Sequence, residues 1–183
     1  MELKGKRIAF LMANEGVEQV ELTEPRKAVE EAGGQPVLVA PEAGQIQAFN
    51  HLDRADTFPV DETLAESDAR SFAGLMMPGG VANPDHLRTI PEAVDFVRSF
   101  LGAGKPVAAI CHAPWMLVEA GQVKGRTLTS WPSLRTDVRN AGGTWVDEEV
   151  HTDNGVVTSR KPDDLPAFCK KMVEEFAEGR HAR

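Results

Sequence analysis

The chain has 183 residues, 42% of them hydrophobic and 26% charged, with 20 Lys and Arg against 28 Asp and Glu for a formal net charge of −8. That length supports one domain with a real core, spanning 1–183, and the acidic balance, without any basic run interleaved with aromatics, argues against a nucleic-acid partner. Two cysteines are too few for a secreted disulfide scaffold, and no apolar stretch reaches signal-peptide or membrane-spanning length, so a cytoplasmic protein without membrane attachment is expected.

Arg7 to Ala13 reads as a buried strand ending at Asn14-Glu15-Gly16. A helical period follows from Glu18, with Val20, Leu22, Ala28, Val29 and Ala32 apolar and Gly33-Gly34 as the stop. Pro25 falls inside that span, which places the start of the regular helix near Glu24. Pro36 to Pro41 is a second strand, and the order strand, helix, strand is the βαβ unit of a parallel sheet. Ile46 to Phe49 and Thr57 to Val60 alternate with period two and predict a small antiparallel excursion.

Leu64 to Arg70 reads as a short polar helix, and Gly74 to Met77 as a third core strand broken at Pro78-Gly79-Gly80. Thr89 to Gly104 carries an amphipathic helix, Lys105 to Ile110 a buried strand, and Ala113 to Ala120 a helix with Pro114 in its first turn. Later come a strand at Thr127 to Thr129 and a helix from Ser133 to Ala141. Strands at Thr144 to Val146 and Val156 to Thr158 follow, with a turn at Asp153-Asn154-Gly155 between them. The last helix runs from Asp163 to Glu178, and Cys169 beside its apolar stripe reads as core filler. The whole is an α/β sandwich around a mostly parallel sheet.

Such sheets place their sites at the carboxyl ends of strands. Ala109-x-Cys111-x-Ala113 has the small-residue spacing of a nucleophile elbow, and a thiol at a helix N-terminus is expected to favour the thiolate. Gly79 and Gly80 allow backbone N–H groups to approach a ligand, as an oxyanion hole requires. Glu18 or Glu15 is the candidate acid/base partner of the sulfur, whereas Glu21 and Glu24 read as dipole complementation at a helix start. His112 follows the thiol directly, but no carboxylate stands in an obvious position to orient its ring. No metal-ligand spacing, G-x-G-x-x-G or Walker loop is present, so neither metal nor cofactor is expected.

Ala13 to Leu22, Met77-Pro78-Gly79-Gly80, Pro106 to Pro114, Leu128 to Pro132 and Val157 to Pro166 together resemble the ThiJ/PfpI superfamily, and within it the PfpI-like intracellular protease branch. The resemblance implies a flavodoxin-like, class I glutamine amidotransferase-like three-layer sandwich. It also implies Cys111 as nucleophile, Glu18 as the acid on its sulfur, Gly80 and His112 amides as the oxyanion hole, and Gly79 and Trp131 in the pocket. Trp131 stands where many members carry Tyr. His112 matches the branch's triad histidine, whose third member comes from a neighbouring subunit and would here be Asp85. The activities implied are a peptidase, or glyoxalase or deglycase chemistry on small carbonyl compounds and glycated or peptide substrates, in a stress-response homo-oligomer. Two other readings are a redox sensor or chaperone with Cys111 oxidised to sulfinate, and a glutamine amidotransferase using His151-Thr152-Asp153.

Overall fold

Along the first strand, successive side chains enter opposite cores. Ala9, Leu11 and Ala13 face one, and Ile8, Phe10 and Met12 face the other, all fully buried. A strand buried on both faces reads as a continuous apolar run and needs helices on each side. The computed structural model describes residues 2–181. In chain order it contains β1 (Arg7–Leu11), β2 (Glu15–Glu18), α1 (Gln19–Glu31), β3 (Gln35–Ala40), β4 (Gln45–Asn50), β5 (Asp53–Pro59), β6 (Glu62–Thr63) and β7 (Gly74–Met77). Next come α2 (Ala82–Leu87), α3 (Pro91–Gly102), β8 (Val107–Ile110), α4 (Pro114–Glu119), β9 (Thr127–Leu128) and α5 (Arg135–Asn140). β10 (Thr144–Trp145), β11 (Val150–Asp153), β12 (Val156–Ser159) and α6 (Leu165–Glu178) complete the order.

The central sheet has seven strands in the order β11-β12-β8-β7-β1-β3-β6. All its pairings are parallel except β11 with β12. Helices α3 and α4 cover one face with Val97, Phe100, Leu101, Met116 and Leu117. Helices α1 and α6 cover the other with Leu22, Val29, Phe168, Met172 and Phe176. This is the expected three-layer, mostly parallel α/β sandwich.

The predicted antiparallel excursion is the β4–β5 hairpin. It pairs with β2, a short strand that the helical period from Glu18 had obscured. Helix α1 begins at Gln19, well before Glu24, and carries Pro25 inside it. Leu64 to Arg70 forms a turn and a 3-10 segment, Ala69–Ser71, in place of a helix. Between Thr144 and Thr158 the hairpin is made by β11 and β12, whereas β10 pairs with β9 outside the main sheet.

Order β8-β7-β1 makes the three strands whose ends carry the unusual residues direct neighbours. The same packing explains Gly74, where an added Cβ would lie 2.7 Å from the Phe176 ring. Phe176 is completely buried against that strand. Phe176→Ala is expected to cost about 3–5 kcal/mol, read as a lower urea midpoint at unchanged m-value.

Candidate active site

Cys111 leaves β8 in the left-handed region, at φ 64, a conformation that a non-glycine residue holds only when its surroundings fix it. Its N–H donates to Ser159 O at 3.0 Å, its carbonyl accepts the Trp131 N–H at 2.8 Å, and Ala113 N–H closes the turn onto Ile110 O at 3.0 Å. The sharp turn from strand to α4 has the strand–turn–helix geometry that the alanine spacing predicts. Cys111 is 7% exposed and opens on a cleft of ≈ 640 Å³ lined by Glu15, Gly16, Glu18, Glu21, Gly80, Asp85, His112 and Trp131, among others.

The acid against the sulfur is Glu21, not Glu18. Glu21 is completely buried, its Oε2 accepts the Gly79 N–H at 2.8 Å, and its carboxyl interacts with the Cys111 thiol. Because α1 starts at Gln19, Glu21 falls on that helix's buried side with Leu22, Pro25 and Val29. Glu18 precedes the helix and stays half-buried in the cleft, with Oε2 accepting the His51 N–H at 3.1 Å. Glu15 pairs with Arg54 at 3.1 Å on the exposed side.

The glycines make this approach possible. A Cβ on Gly79 would lie 2.5 Å from Glu21 Oε2 and 2.7 Å from Cys111 Cβ. Gly80, at φ +83, turns its N–H to the Cys111 sulfur, and the His112 N–H joins it there, as an oxyanion hole requires. Gly16, at φ +104, presses against α2, where a Cβ would meet Asn83 N at 2.8 Å. Asn83 is completely buried and ties the strand ends together. It accepts the Ala13 N–H at 2.7 Å and donates to Pro78 O at 2.9 Å and Gly79 O at 3.0 Å. No pattern in the sequence marked it.

His112 turns toward the thiol, with Nδ1 3.1 Å from Sγ. Trp131 stacks on its ring at 5.7 Å and 22°, Trp115 lies at 5.3 Å and 60°, and Nε2 is 3.5 Å from Ser133 Oγ. Asp85 is exposed on the cleft rim, and within one chain no hydrogen bond joins it to His112 among the described residues.

Burial dominates the titrations. It pushes the Glu21 carboxyl up to about 8, helped by the nearby Glu18 charge and opposed by the Gly79 N–H. It also pushes the Cys111 thiol up, reinforced by the Glu21 charge, against the Gly80 and His112 N–H groups that favour the thiolate. Burial thus acts against the thiolate that the α4 N-terminus was expected to favour. Burial likewise depresses His112 to about 4, so its imidazole is neutral near pH 7.

The model of the DJ-1/PfpI family matches residues 6–175. The chain belongs to the DJ-1/PfpI family. Putative cysteine protease YraA of Bacillus subtilis is 39% identical over 168 residues, covering 92% of this chain and 96% of YraA. Among solved structures, Drosophila melanogaster DJ-1beta superposes with a TM-score of 0.85 at 27% identity, covering 94% of this chain and 90% of that one. A two-domain Anabaena variabilis protein with DJ-1/ThiJ/PfpI-like and ferritin-like domains gives a TM-score of 0.87 at 30% identity, over 92% of this chain and 47% of that one.

Among the described residues of this DJ-1/PfpI chain, the one cluster of three side chains close enough to share a metal ion lies away from the cleft. Glu175, Glu178 and His181 bring ligand atoms within 4.8 Å of one another beside Gly104 and Gly155, at the end of the sheet opposite Cys111. Cys169 lies on α6 and packs against the core, as expected for filler. Among the described residues, no helix is long and apolar enough to cross a membrane.

The two buried groups pull stability in opposite directions. Glu21 is raised from 4.5 to about 8, so the folded protein keeps a proton that the unfolded chain releases, and stability falls as pH rises through that window. His112 is lowered from 6.5 to about 4, so the unfolded chain gains a proton that the folded protein lacks, and stability falls as pH drops through that window. Between 6.5, where the His112 window closes, and about 8, wild type is expected to lose stability at up to about 1.4 kcal/mol per pH unit. Glu21→Gln should be flat there. Urea midpoints at the two ends of that range check this, and equal losses in both proteins would refute it.

Proposed function

We propose that this DJ-1/PfpI protein is a cysteine-dependent hydrolase or lyase whose Cys111 attacks a carbonyl carbon. The observation that carries this reading is the convergence on one sulfur of the Gly80 and His112 N–H groups, His112 Nδ1 at 3.1 Å and the Glu21 carboxyl, all facing an open cleft. The C–S bond forms as the carbonyl π pair moves to oxygen, and the two backbone donors hold the resulting oxyanion. A protonated Glu21 can donate to the sulfur while adding no charge beside it, which removes the repulsion that its ionised form exerts on the thiolate.

The cleft of ≈ 640 Å³ suits a small carbonyl compound, such as a dicarbonyl or a glycation adduct, better than a folded polypeptide. The relative named as a putative cysteine protease supports the hydrolytic side of the reading. Turnover of methylglyoxal is expected to exceed endopeptidase turnover, and Cys111→Ser to lower it by at least about 100-fold without loss of fold. Retained turnover in that variant would end the proposal.

The lining also selects by charge. Glu18 and Asp85 face the cleft, Glu15 at its edge is paired with Arg54, and no Lys or Arg is among the described lining residues. Anionic carbonyls such as glyoxylate are therefore expected to react with kcat/KM about tenfold or more below methylglyoxal at low salt, the gap narrowing as salt is raised.

A second reading follows from the same donors. The Gly80 and His112 N–H groups and a protonated Glu21 would equally hold the oxygens of a Cys111 sulfinate, making the protein a redox sensor or chaperone. Stoichiometric gain of two oxygens at Cys111 under mild peroxide would favour it. The amidotransferase reading is not carried further, because His151 pairs with Glu148 at 2.7 Å on the edge strand β11 and does not line the cleft. A homo-oligomer in which a neighbouring subunit supplies a carboxylate remains part of the proposal, and a cytoplasmic setting fits the chemistry.

A further inference from the structure

The end of the sheet far from Cys111 holds a cluster of side chains that the carbonyl chemistry does not use. Helix α6 places Glu175 and Glu178 about one turn apart on one face, and Gly179, at φ 87, ends the helix and turns the chain back. His181 thereby returns to Glu175, and the ligand atoms of all three side chains lie within 4.8 Å of one another. We propose that Glu175, Glu178 and His181 bind a Zn²⁺ ion that fastens the segment after α6 to the sheet.

Two buried atoms without hydrogen-bond partners point to an ion. Glu175 is 3% exposed, and neither its Oε2 nor His181 Nε2 takes part in a hydrogen bond among the described residues. The two atoms lie 3.0 Å apart, so they face each other at close range but outside the directions a hydrogen bond requires. Buried polar atoms are nearly always satisfied, and a bound ion is one way to satisfy such a pair. Ligands about 2.0–2.1 Å from a tetrahedral zinc stand about 3.3 Å apart, close to this separation. Lys171 Nζ holds the other oxygen, Oε1, at 3.3 Å and so leaves Oε2 turned to the ring. An ion pair between Glu175 and a protonated His181 is the competing account, and it gives Glu178 no role.

The seat for His181 is built into the sheet end. Its N–H donates to Gly104 O at 2.8 Å. A Cβ on Gly155 would lie 2.6 Å from His181 Cδ2, and one on Gly104 would lie 2.5 Å from the His181 carbonyl oxygen. Backbone and ring are thus both fixed, with Nε2 aimed at Glu175. Glu178 is exposed and makes no side-chain hydrogen bond or ion pair among the described residues, so it is available to an ion arriving from solvent. One imidazole and two carboxylates without a thiolate suit Zn²⁺, whereas Ca²⁺ and Mg²⁺ favour shells made of oxygen alone. Three protein ligands leave a fourth position to water, which makes the site weaker than a four-ligand structural one. The spacing Glu-x-x-Glu-x-x-His crosses a helix end and contains a single histidine, so no paired-ligand pattern marks it.

The test titrates Zn²⁺ into the full chain by calorimetry and follows Tm with and without the ion. Cys111→Ser serves as the reference, because it removes any zinc taken by the thiol of the cleft. That protein should bind about one equivalent with a Kd of about 1–10 μM. Adding Glu178→Gln or His181→Gln should weaken binding by at least about tenfold and abolish the rise in Tm that Zn²⁺ gives the reference. Co²⁺ used in place of Zn²⁺ should give visible d–d absorption without a thiolate charge-transfer band, and His181→Gln should lose it. Absence of Zn²⁺ binding in the Cys111→Ser protein would overturn the proposal. Affinity unchanged by Glu178→Gln would also overturn it, leaving only the Glu175–His181 ion pair. So would a thiolate charge-transfer band, which would assign the ion to Cys169.

Discussion

A thiol and a carboxyl buried together, with no cationic side chain among the described residues lining their cleft, set the terms for everything around them. Either charge alone is costly in that volume, and both together are costlier still. The surroundings therefore supply dipoles in place of ions. Gly79 N–H goes to Glu21, and Gly80 and His112 N–H go to the sulfur. Backbone donors can reach these atoms only where no side chain intervenes, and this is why two glycines follow β7. The need to bring donors close also explains Asn83, which uses three bonds to join the ends of β1 and β7 so that the Gly79-Gly80 turn stays in place.

The sheet was legible because burial on both faces leaves a plain mark. Short apolar runs at Ile8, Val37, Leu75 and Val107 each became a central strand, and the Cys111 elbow followed from small residues on either side of it. The α1 start was harder to read for a definite reason. Pro25 normally marks a first turn, but here the helix runs through it, and tertiary packing of Leu22 and Val29 outweighs the lost backbone bond. Moving the start to Gln19 turns Glu21 inward and leaves Glu18 at the helix boundary. The signal for Glu21 was a carboxylate on an apolar stripe, four residues before a buried proline and eight before a buried valine.

Other features had no local signature. Helix α2 is six residues long and shows no period, and the pairing of β10 with β9, a strand distant in sequence, leaves no local mark although both strands were readable. The orientation of His112 is likewise a tertiary fact, since its ring is placed by Trp131, whose own backbone N–H is held by the Cys111 carbonyl at 2.8 Å. The tryptophan at that position thus contributes a face where a tyrosine would contribute a hydroxyl.

That exchange has a chemical consequence. With an indole at residue 131, the polar groups around the Cys111 sulfur are Glu21, His112 and backbone amides, and the ring nitrogen facing away from the sulfur meets Ser133. Burial between the two indoles keeps the His112 imidazole neutral near pH 7. Glu21 is the group beside the sulfur that burial keeps protonated near neutral pH, and the Glu18 charge at the cleft mouth biases it further the same way. The residue expected to touch the sulfur therefore acts at one remove, through its field on the residue that does.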